Sequence, residues 1–169
     1  MTARSFAFLF GILTLGAGLL GLMPGMVVPP AAGAAPLGFD VIHGRLLGIV
    51  PVNMLTSALY LAIGAWGLMA FMGWRQPRFY ARSVAVILGV LGVLGLIPGL
   101  NTLFGLMPLY GNAAWLHLGG AALAAWAGFS PRTAERRSGV RDRRRRGRIP
   151  TANERRHGLY DRRRQPFPS

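Results

Sequence analysis

The sequence repeats one apolar element, LGIVPV at residues 47–52 and FGLMPL at residues 104–109. A second pair precedes these elements, GLMPG at residues 21–25 and GLIPG at residues 95–99. An apolar run leads into each Pro-Gly pair, and another follows each Leu/Phe-Gly element. The repeating unit is therefore an apolar helix, a turn, the repeated element and a second apolar helix. We predict a membrane protein built from two such helical hairpins.

Four apolar segments are long enough to cross a bilayer, whose hydrocarbon core requires roughly 20 helical residues and at least about 17. None of the four contains Asp, Glu, Lys or Arg, and they cover residues 5–23, 54–74, 83–100 and 113–129. Because each unit enters from one side and returns, the two hairpins share one topology, as a parallel repeat. The predicted fold is all-α, with a bundle of four transmembrane helices in residues 1–130 and a separate tail in residues 131–169.

The placement of arginine predicts the orientation of these spans. The net charge is +14, and all 19 basic residues are arginines. Eighteen of them, including Arg4, fall on one side of the predicted bundle, and only Arg45 falls on the other. Since cytoplasmic loops carry an excess of basic residues, we predict a multi-pass inner (plasma) membrane protein with both termini cytoplasmic. A secretory signal cleaved near Ala32-Gly33-Ala34 is the alternative for the first span, although that span also aligns with the third.

Small residues recur at three- and four-residue steps in three of the spans. Such residues let helices approach closely in lipid, where no hydrophobic force draws helices together. We therefore predict that the helices pack through Gly18, Gly21 and Gly25 of the first span, Gly89, Gly92, Gly95 and Gly99 of the third, and Gly119, Gly120, Ala121, Ala124 and Gly128 of the fourth.

The repeated Leu/Phe-Gly-aliphatic-aliphatic-Pro element resembles that of a family of small four-helix bacterial membrane proteins, described only as a domain of unknown function. The resemblance covers about residues 5–129. It implies a fold and a location but does not indicate any particular activity. Residues 51–53 match the Pro-Val-Asn of that family, and Leu116-His117 matches its Leu-His. The family's two histidines after Pro-Val-Asn correspond to Thr56 and Tyr60 here, and its Asp/Asn pair corresponds to Ala113 and Ala114.

Several polar residues are predicted to gather where the spans meet the outer loops. Tyr60 and His117 each lie nine residues after the proline of the repeated element, so they should sit at matching depth. An ionisable residue within a membrane span is by default a candidate for function. The candidate cluster at this outer mouth comprises Asn53, Tyr60, His117, Asp40 and His43. The alternative is that His117 is a structural residue, hydrogen-bonded to a carbonyl or to Tyr60.

Enzymatic and cofactor chemistry finds little support in the sequence. Asp40 and His43 have a spacing seen in metal sites, but two ligands do not form a site. No Ser-His-Asp set, paired carboxylates or phosphate-binding glycine loop appears, and there is no cysteine. We expect no catalytic residue, no metal and no cofactor, and we do not expect an enzyme. The spans also lack a charged pathway, which disfavours a transporter without excluding a neutral or lipid substrate.

The tail contains a duplicated basic motif, residues 135–145 and residues 154–164. Its four prolines and few apolar residues predict a disordered segment. Near an anionic leaflet each arginine gains roughly 1 kcal/mol, so we predict that the tail lies on lipid. The predicted anionic-surface contacts are Arg136, Arg137, Arg143, Arg144, Arg145, Arg155, Arg156, Arg162, Arg163 and Arg164. An acidic protein partner and a homo-oligomer stay open, while nucleic acid is disfavoured because few aromatic residues can stack on bases.

The sequence thus favours a structural or interaction role in the bilayer, with the tail contacting anionic lipid or an acidic partner. One alternative is a small transporter or channel subunit. Another is a membrane-tethered binder of nucleic acid or other anionic ligands.

Overall fold

The computed structural model describes residues 1–73 and 76–130, and residues 1–130 form one compact unit. Four helices dominate it: α1 (Ala3–Leu22), α2 (Met54–Phe71), α3 (Pro77–Leu96) and α4 (Asn112–Phe129). The expectations for residues 131–169, namely disorder and the lipid-facing arginines, lie outside the described residues. The protein is therefore mostly helical over the part that the structure describes.

Three of the helices, α1, α2 and α3, are long and apolar enough to cross a membrane. These helices indicate a membrane protein, as the sequence predicted. Helix α4 matches the predicted fourth segment in position but does not meet the same standard of apolar composition. Its Asn112, His117, Trp115 and Trp126, together with several glycines, lower its mean hydropathy.

The boundaries of α3 differ from the predicted third span, which began at residue 83 and ended at residue 100. The helix begins six residues earlier because Pro77 occupies its first turn, where a missing N–H costs nothing. Arg82 is thereby helical, and it donates from Nε to the carbonyl oxygen of Gly128 at 3.1 Å. Its guanidinium also lies over the ring of Phe129, 4.8 Å from the centroid. The prediction treated this arginine as part of a loop, but its charge is satisfied at the C-terminal end of α4.

The connection between α1 and α2 contains a small antiparallel sheet, which corrects the all-α prediction. Its strands are β1 (Val27–Val28), β2 (Gly44–Leu46) and β3 (Val50–Val52), in the order β1-β2-β3. Leu47 and Gly48 turn the chain between β2 and β3 with φ values of 50° and 75°. Two consecutive residues with positive φ reverse a strand tightly, and the hydrophobic pattern alone gave no sign of this hairpin.

The most extensive helix contacts join α1 to α2 and α3 to α4, in two antiparallel pairs. Close approach depends on glycine: a Cβ on Gly18 would lie 2.8 Å from the carbonyl oxygen of Ser57 and from the backbone N of Leu61. On α3, a Cβ on Gly92 would lie 2.7 Å from Cγ of Leu118. Gly16, in contrast, faces open space.

The small residues predicted to pack between helices include some in close contact with the partner helix and others that face open space. Contact positions include Gly18, Gly21, Gly92, Gly95, Gly120 and Gly128. Gly89 is only in ordinary contact with Ala121, and nothing lies within 4 Å of the position that a Cβ would take on Gly25, Gly99 or Gly119. Gly25 and Gly99 lie beyond the ends of α1 and α3, so the prediction that they pack between helices was wrong.

Candidate functional site

The polar residues singled out by the sequence lie at one end of the bundle, where the connections 23–53 and 97–111 meet. We call this the loop end. The opposite end carries Arg4 and the start of α3, and the core between the ends includes Phe6, Ile63 and Tyr80. Tyr80 is fully buried, and its hydroxyl donates to the carbonyl oxygen of Ile63 at 3.2 Å.

Asn53 joins the two connections at the loop end. Its side chain is fully buried and caps α2, because Oδ1 accepts from the backbone N and from Oγ1 of Thr56, both at 2.9 Å. Nδ2 donates to the carbonyl oxygen of Phe39 at 3.1 Å and to that of Leu106 at 2.7 Å. One side chain therefore starts a helix and ties the first connection, at Phe39, to the second repeated element, at Leu106.

A second contact in this region runs between the backbones. The N–H groups of Gly38 and Phe39 both donate to the carbonyl oxygen of Gly105, at 2.9 and 3.1 Å. That carbonyl is presented by a turn in which Phe104 and Gly105 have φ values of 58° and 82°. The Phe-Gly turn thus meets the first connection directly, beside the Asn53 tie.

Tyr60 and His117 form a buried pair between α2 and α4. The Tyr60 hydroxyl lies 3.0 Å from Nε2 of His117, and the two rings meet edge to face at a centroid distance of 6.0 Å. Both side chains are at most 9% exposed. Within the described residues, Nδ1 of His117 is buried and has no hydrogen-bond partner, and the same holds for Oγ of Ser57, which faces Gly21 of α1. The hydrogen bond between the Tyr60 hydroxyl and Nε2 of His117 tethers α4 to α2.

Asp40 and His43 form a third polar group, which reaches the other connection through Tyr110. Nδ1 of His43 lies 2.8 Å from Oδ1 of Asp40, and Nε2 lies 3.2 Å from the Tyr110 hydroxyl. Burial, and secondarily the charge of Asp40, raises the pKa of Tyr110, so this phenol stays a neutral hydroxyl. Asp40 itself is largely exposed, which limits what its pairing adds to stability.

The five predicted site residues thus form three hydrogen-bonded groups: Asn53 with Thr56, Tyr60 with His117, and Asp40 with His43 and Tyr110. No hydrogen bond links one group to another over the described ranges 1–73 and 76–130. In the same part of the chain, no three His, Asp or Glu side chains cluster as metal ligands would.

An open cleft of about 340 Å³ is lined in part by Tyr110. Its walls are mostly apolar and include the stretch 31–34, and its principal residues are Pro30, Arg45, Ile49, Pro51, Tyr110 and Asn112. Nδ2 of Asn112 donates to the carbonyl oxygen of Ile49 at 3.2 Å, which fixes the start of α4 against the β2–β3 hairpin. Sequence reasoning missed this cleft because it treated Arg45 only as a loop charge. The available signal was a single arginine set apart from all the others.

Comparison with known proteins identifies a family but no individual relative or solved structure. Residues 4–130 match a protein family described as a domain of unknown function (DUF4383). The comparison with curated proteins gave no match. The comparison with solved structures gave none either.

Proposed function

The chain belongs to the DUF4383 family, a domain of unknown function, and from its geometry we propose a non-enzymatic, four-span protein of the inner (plasma) membrane. Its bundle is a structural or interaction module, and its basic tail contacts anionic lipid or an acidic partner. The observation that carries this proposal is the hydrogen bonding of Asn53 and of the Tyr60–His117 pair to protein groups. Asn53 and Tyr60 are both hydrogen-bonded within the bundle, which suits a closed scaffold better than an aqueous pathway.

Two local features support a duplicated architecture. The Leu47-Gly48 and Phe104-Gly105 pairs have positive φ at both residues, although one follows a strand and the other follows a run of turns. Buried residues follow at matching positions, Pro51-Val52 and Pro108-Leu109. Each element then leads into the second helix of an antiparallel pair.

Helix α4 supports a fourth span through its partner and its surface. It packs along α3 as α2 packs along α1, and it has the same length as α2. Its outer face exposes Trp115, Leu116, Leu123, Trp126 and Phe129. So large an apolar face on a monomer calls for a nonaqueous neighbour, and tryptophan is favoured at membrane interfaces.

Charge at the two ends supports the proposed orientation. Arg4 and Arg82 lie at the end opposite the loop end, beside Phe71 and Phe129 respectively. Arg45 lies at the loop end. With the tail arginines joined to α4, a four-span chain has its basic residues on the cytoplasmic side.

Cysteine labelling tests the topology, since the chain has no native cysteine. We expect Phe104→Cys, at a side chain 81% exposed, to react with a membrane-impermeant maleimide in intact cells. Met72→Cys, at the opposite end, and Ser169→Cys should react only after lysis. Reaction of Ser169→Cys in intact cells would contradict four spans, because three spans would place the termini on opposite sides.

A flux assay separates the structural role from transport. Purified protein in liposomes should add no leak of protons, potassium ions or glycerol above that of protein-free liposomes, because no charged or open path is expected through the bundle. His117→Ala serves as the matched variant. A flux that depends on His117 would overturn the structural proposal and place the function in the bundle.

The same liposomes test the tail. Vesicles of phosphatidylglycerol should bind the embedded protein, vesicles of phosphatidylcholine should not, and truncation after Phe129 should abolish the difference. Binding retained after truncation would contradict a lipid-contacting tail. RNA that displaces the anionic vesicles at equal charge would favour the nucleic-acid alternative instead.

A further inference from the structure

Arg45 is a cation without a partner at the loop end. A guanidinium stays charged at any pH that a protein meets. Its Nε is buried, and across the described ranges 1–73 and 76–130 no hydrogen bond or ion pair reaches this side chain. Asp40, the acid in the same connection, is paired with His43. A buried polar atom on a charged group is costly unless it is hydrogen-bonded, so an anion at this position would offset that cost.

Arg45 lines the 340 Å³ cleft together with Tyr110 and the start of α4. The Tyr110 hydroxyl donates to Nε2 of His43 at 3.2 Å, because Nδ1 of His43 faces the Asp40 carboxylate, and this bond fixes the ring of Tyr110 in the wall of the cleft. Gly111 and Asn112, the N-cap position and the first residue of α4, also line the cleft, and no side chain caps this helix. The free N–H groups and the positive dipole end of a helix attract phosphate. A guanidinium beside them adds a second, independent reason for an anion.

The rest of the cleft suggests what else the ligand carries. Its volume falls within the usual range for small-molecule pockets, about 300 to 1,000 Å³, and so exceeds the space that a bare phosphate fills. Pro30, Ile49 and Pro51 supply apolar wall. A small molecule that carries an anionic group on a short apolar or neutral chain fits a cleft with one cation, few hydrogen-bond donors and an apolar lining.

We propose that the cleft formed by the β2–β3 hairpin and the start of α4 binds a phosphate-bearing ligand, with Arg45 as its cation. The phosphate comes either from a lipid headgroup or from a small soluble phosphate ester. This site lies away from the Tyr60–His117 pair and does not depend on whether the bundle transports anything.

The ring resonances of Tyr110 provide a local reporter in the wall of the cleft. Full-length protein containing 13C-labelled tyrosine is titrated in micelles with glycerol 3-phosphate, with short-chain phosphatidylglycerol and with glycerol as the uncharged control. Tyr110→Phe assigns the resonance. We expect a saturable shift with at least one of the phosphates and none with glycerol.

Two variants and a control decide whether the cleft is responsible. Arg45→Gln removes the cation, and Ile49→Trp fills the cleft at an exposed position while keeping Arg45. Each should raise the dissociation constant about tenfold or more, the usual loss for a charge-assisted hydrogen bond. Arg4→Gln removes the same charge at the opposite end and should leave the dissociation constant unchanged.

The outcomes are distinct. Saturation by phosphatidylglycerol alone assigns the site to a lipid headgroup, and saturation by glycerol 3-phosphate assigns it to a soluble ester. Equal weakening by Arg4→Gln and Arg45→Gln would overturn the proposal in favour of bulk charge. Failure of both phosphates to shift Tyr110 would overturn it outright.

Discussion

Replacing Gly18 by leucine should separate α1 from α2 and lower the free energy of unfolding by about 3 kcal/mol or more, as overpacking of a close interface does. A Cβ there would sit 2.8 Å from backbone atoms of Ser57 and Leu61, which cannot rotate away as a side-chain tip would. The only relief is a movement of one helix. The midpoint of unfolding in a detergent titration of the micelle-solubilised protein measures this loss.

Gly16→Leu is the matched control for this prediction. Gly16 lies two residues away on the same helix, and nothing lies within 4 Å of the position that its Cβ would take. Both substitutions gain the same helix propensity, about 0.8 kcal/mol in water, so their difference isolates the close approach. Equal stability of the two variants would show that the α1–α2 crossing is looser than the structure has it.

Replacing Asn53 by alanine should lower the free energy of unfolding by about 3 to 7 kcal/mol. The cap contributes about 1 kcal/mol, and each buried carbonyl left without its donor costs about 1–3 kcal/mol. Asn53 accepts a hydrogen bond from the N–H of Thr56 and donates to the carbonyl oxygens of Phe39 and Leu106. Its side chain is fully buried. Removing Asn53 should therefore lower the free energy of unfolding by more than the removal of a helix cap alone.

Two further variants separate these contributions in the same unfolding titration. Thr2→Ala removes the exposed cap of α1, where Oγ1 accepts from the N–H of Ser5 at 3.1 Å, and should cost about 1 kcal/mol. Asn53→Asp keeps a capping oxygen but loses the amide donors and brings a carboxylate near two carbonyl oxygens. If Asn53→Asp were as stable as the unchanged protein, the bonds to Phe39 and Leu106 would carry no weight.

The helices could be read from the sequence because long apolar runs without charge have few alternatives. The ends were harder, since the prediction ended spans at charges whereas α3 begins at Pro77 and carries Arg82 to a carbonyl and a ring on α4. The hairpin between β2 and β3 was missed because its turn depends on positive φ at Leu47. Leucine rarely adopts such a conformation, so nothing in the local composition pointed to it.

The candidate site was predictable in its residues and only partly in its partners. Tyr60 and His117 each lie nine residues after a proline of the repeated element, so the sequence predicted that they lie at the same depth. Their hydrogen bond was one of the alternatives that the sequence left open. The partners of Asn53 were not accessible, because Phe39 and Leu106 are recognised through backbone carbonyls that no side-chain pattern reveals. The cleft at Arg45 combines segments far apart in the chain, which only the folded connections bring together.

The Asn53 tie also orders the events of synthesis. The first hairpin, through the end of α2 at Phe71, leaves the ribosome ahead of Leu106, whose carbonyl oxygen completes the bonding of the Asn53 amide. Asn53 can already cap α2 at that stage, but one of its donors has no acceptor. The first hairpin is therefore an unfinished half until the second Leu/Phe-Gly element emerges and supplies the contact that completes it.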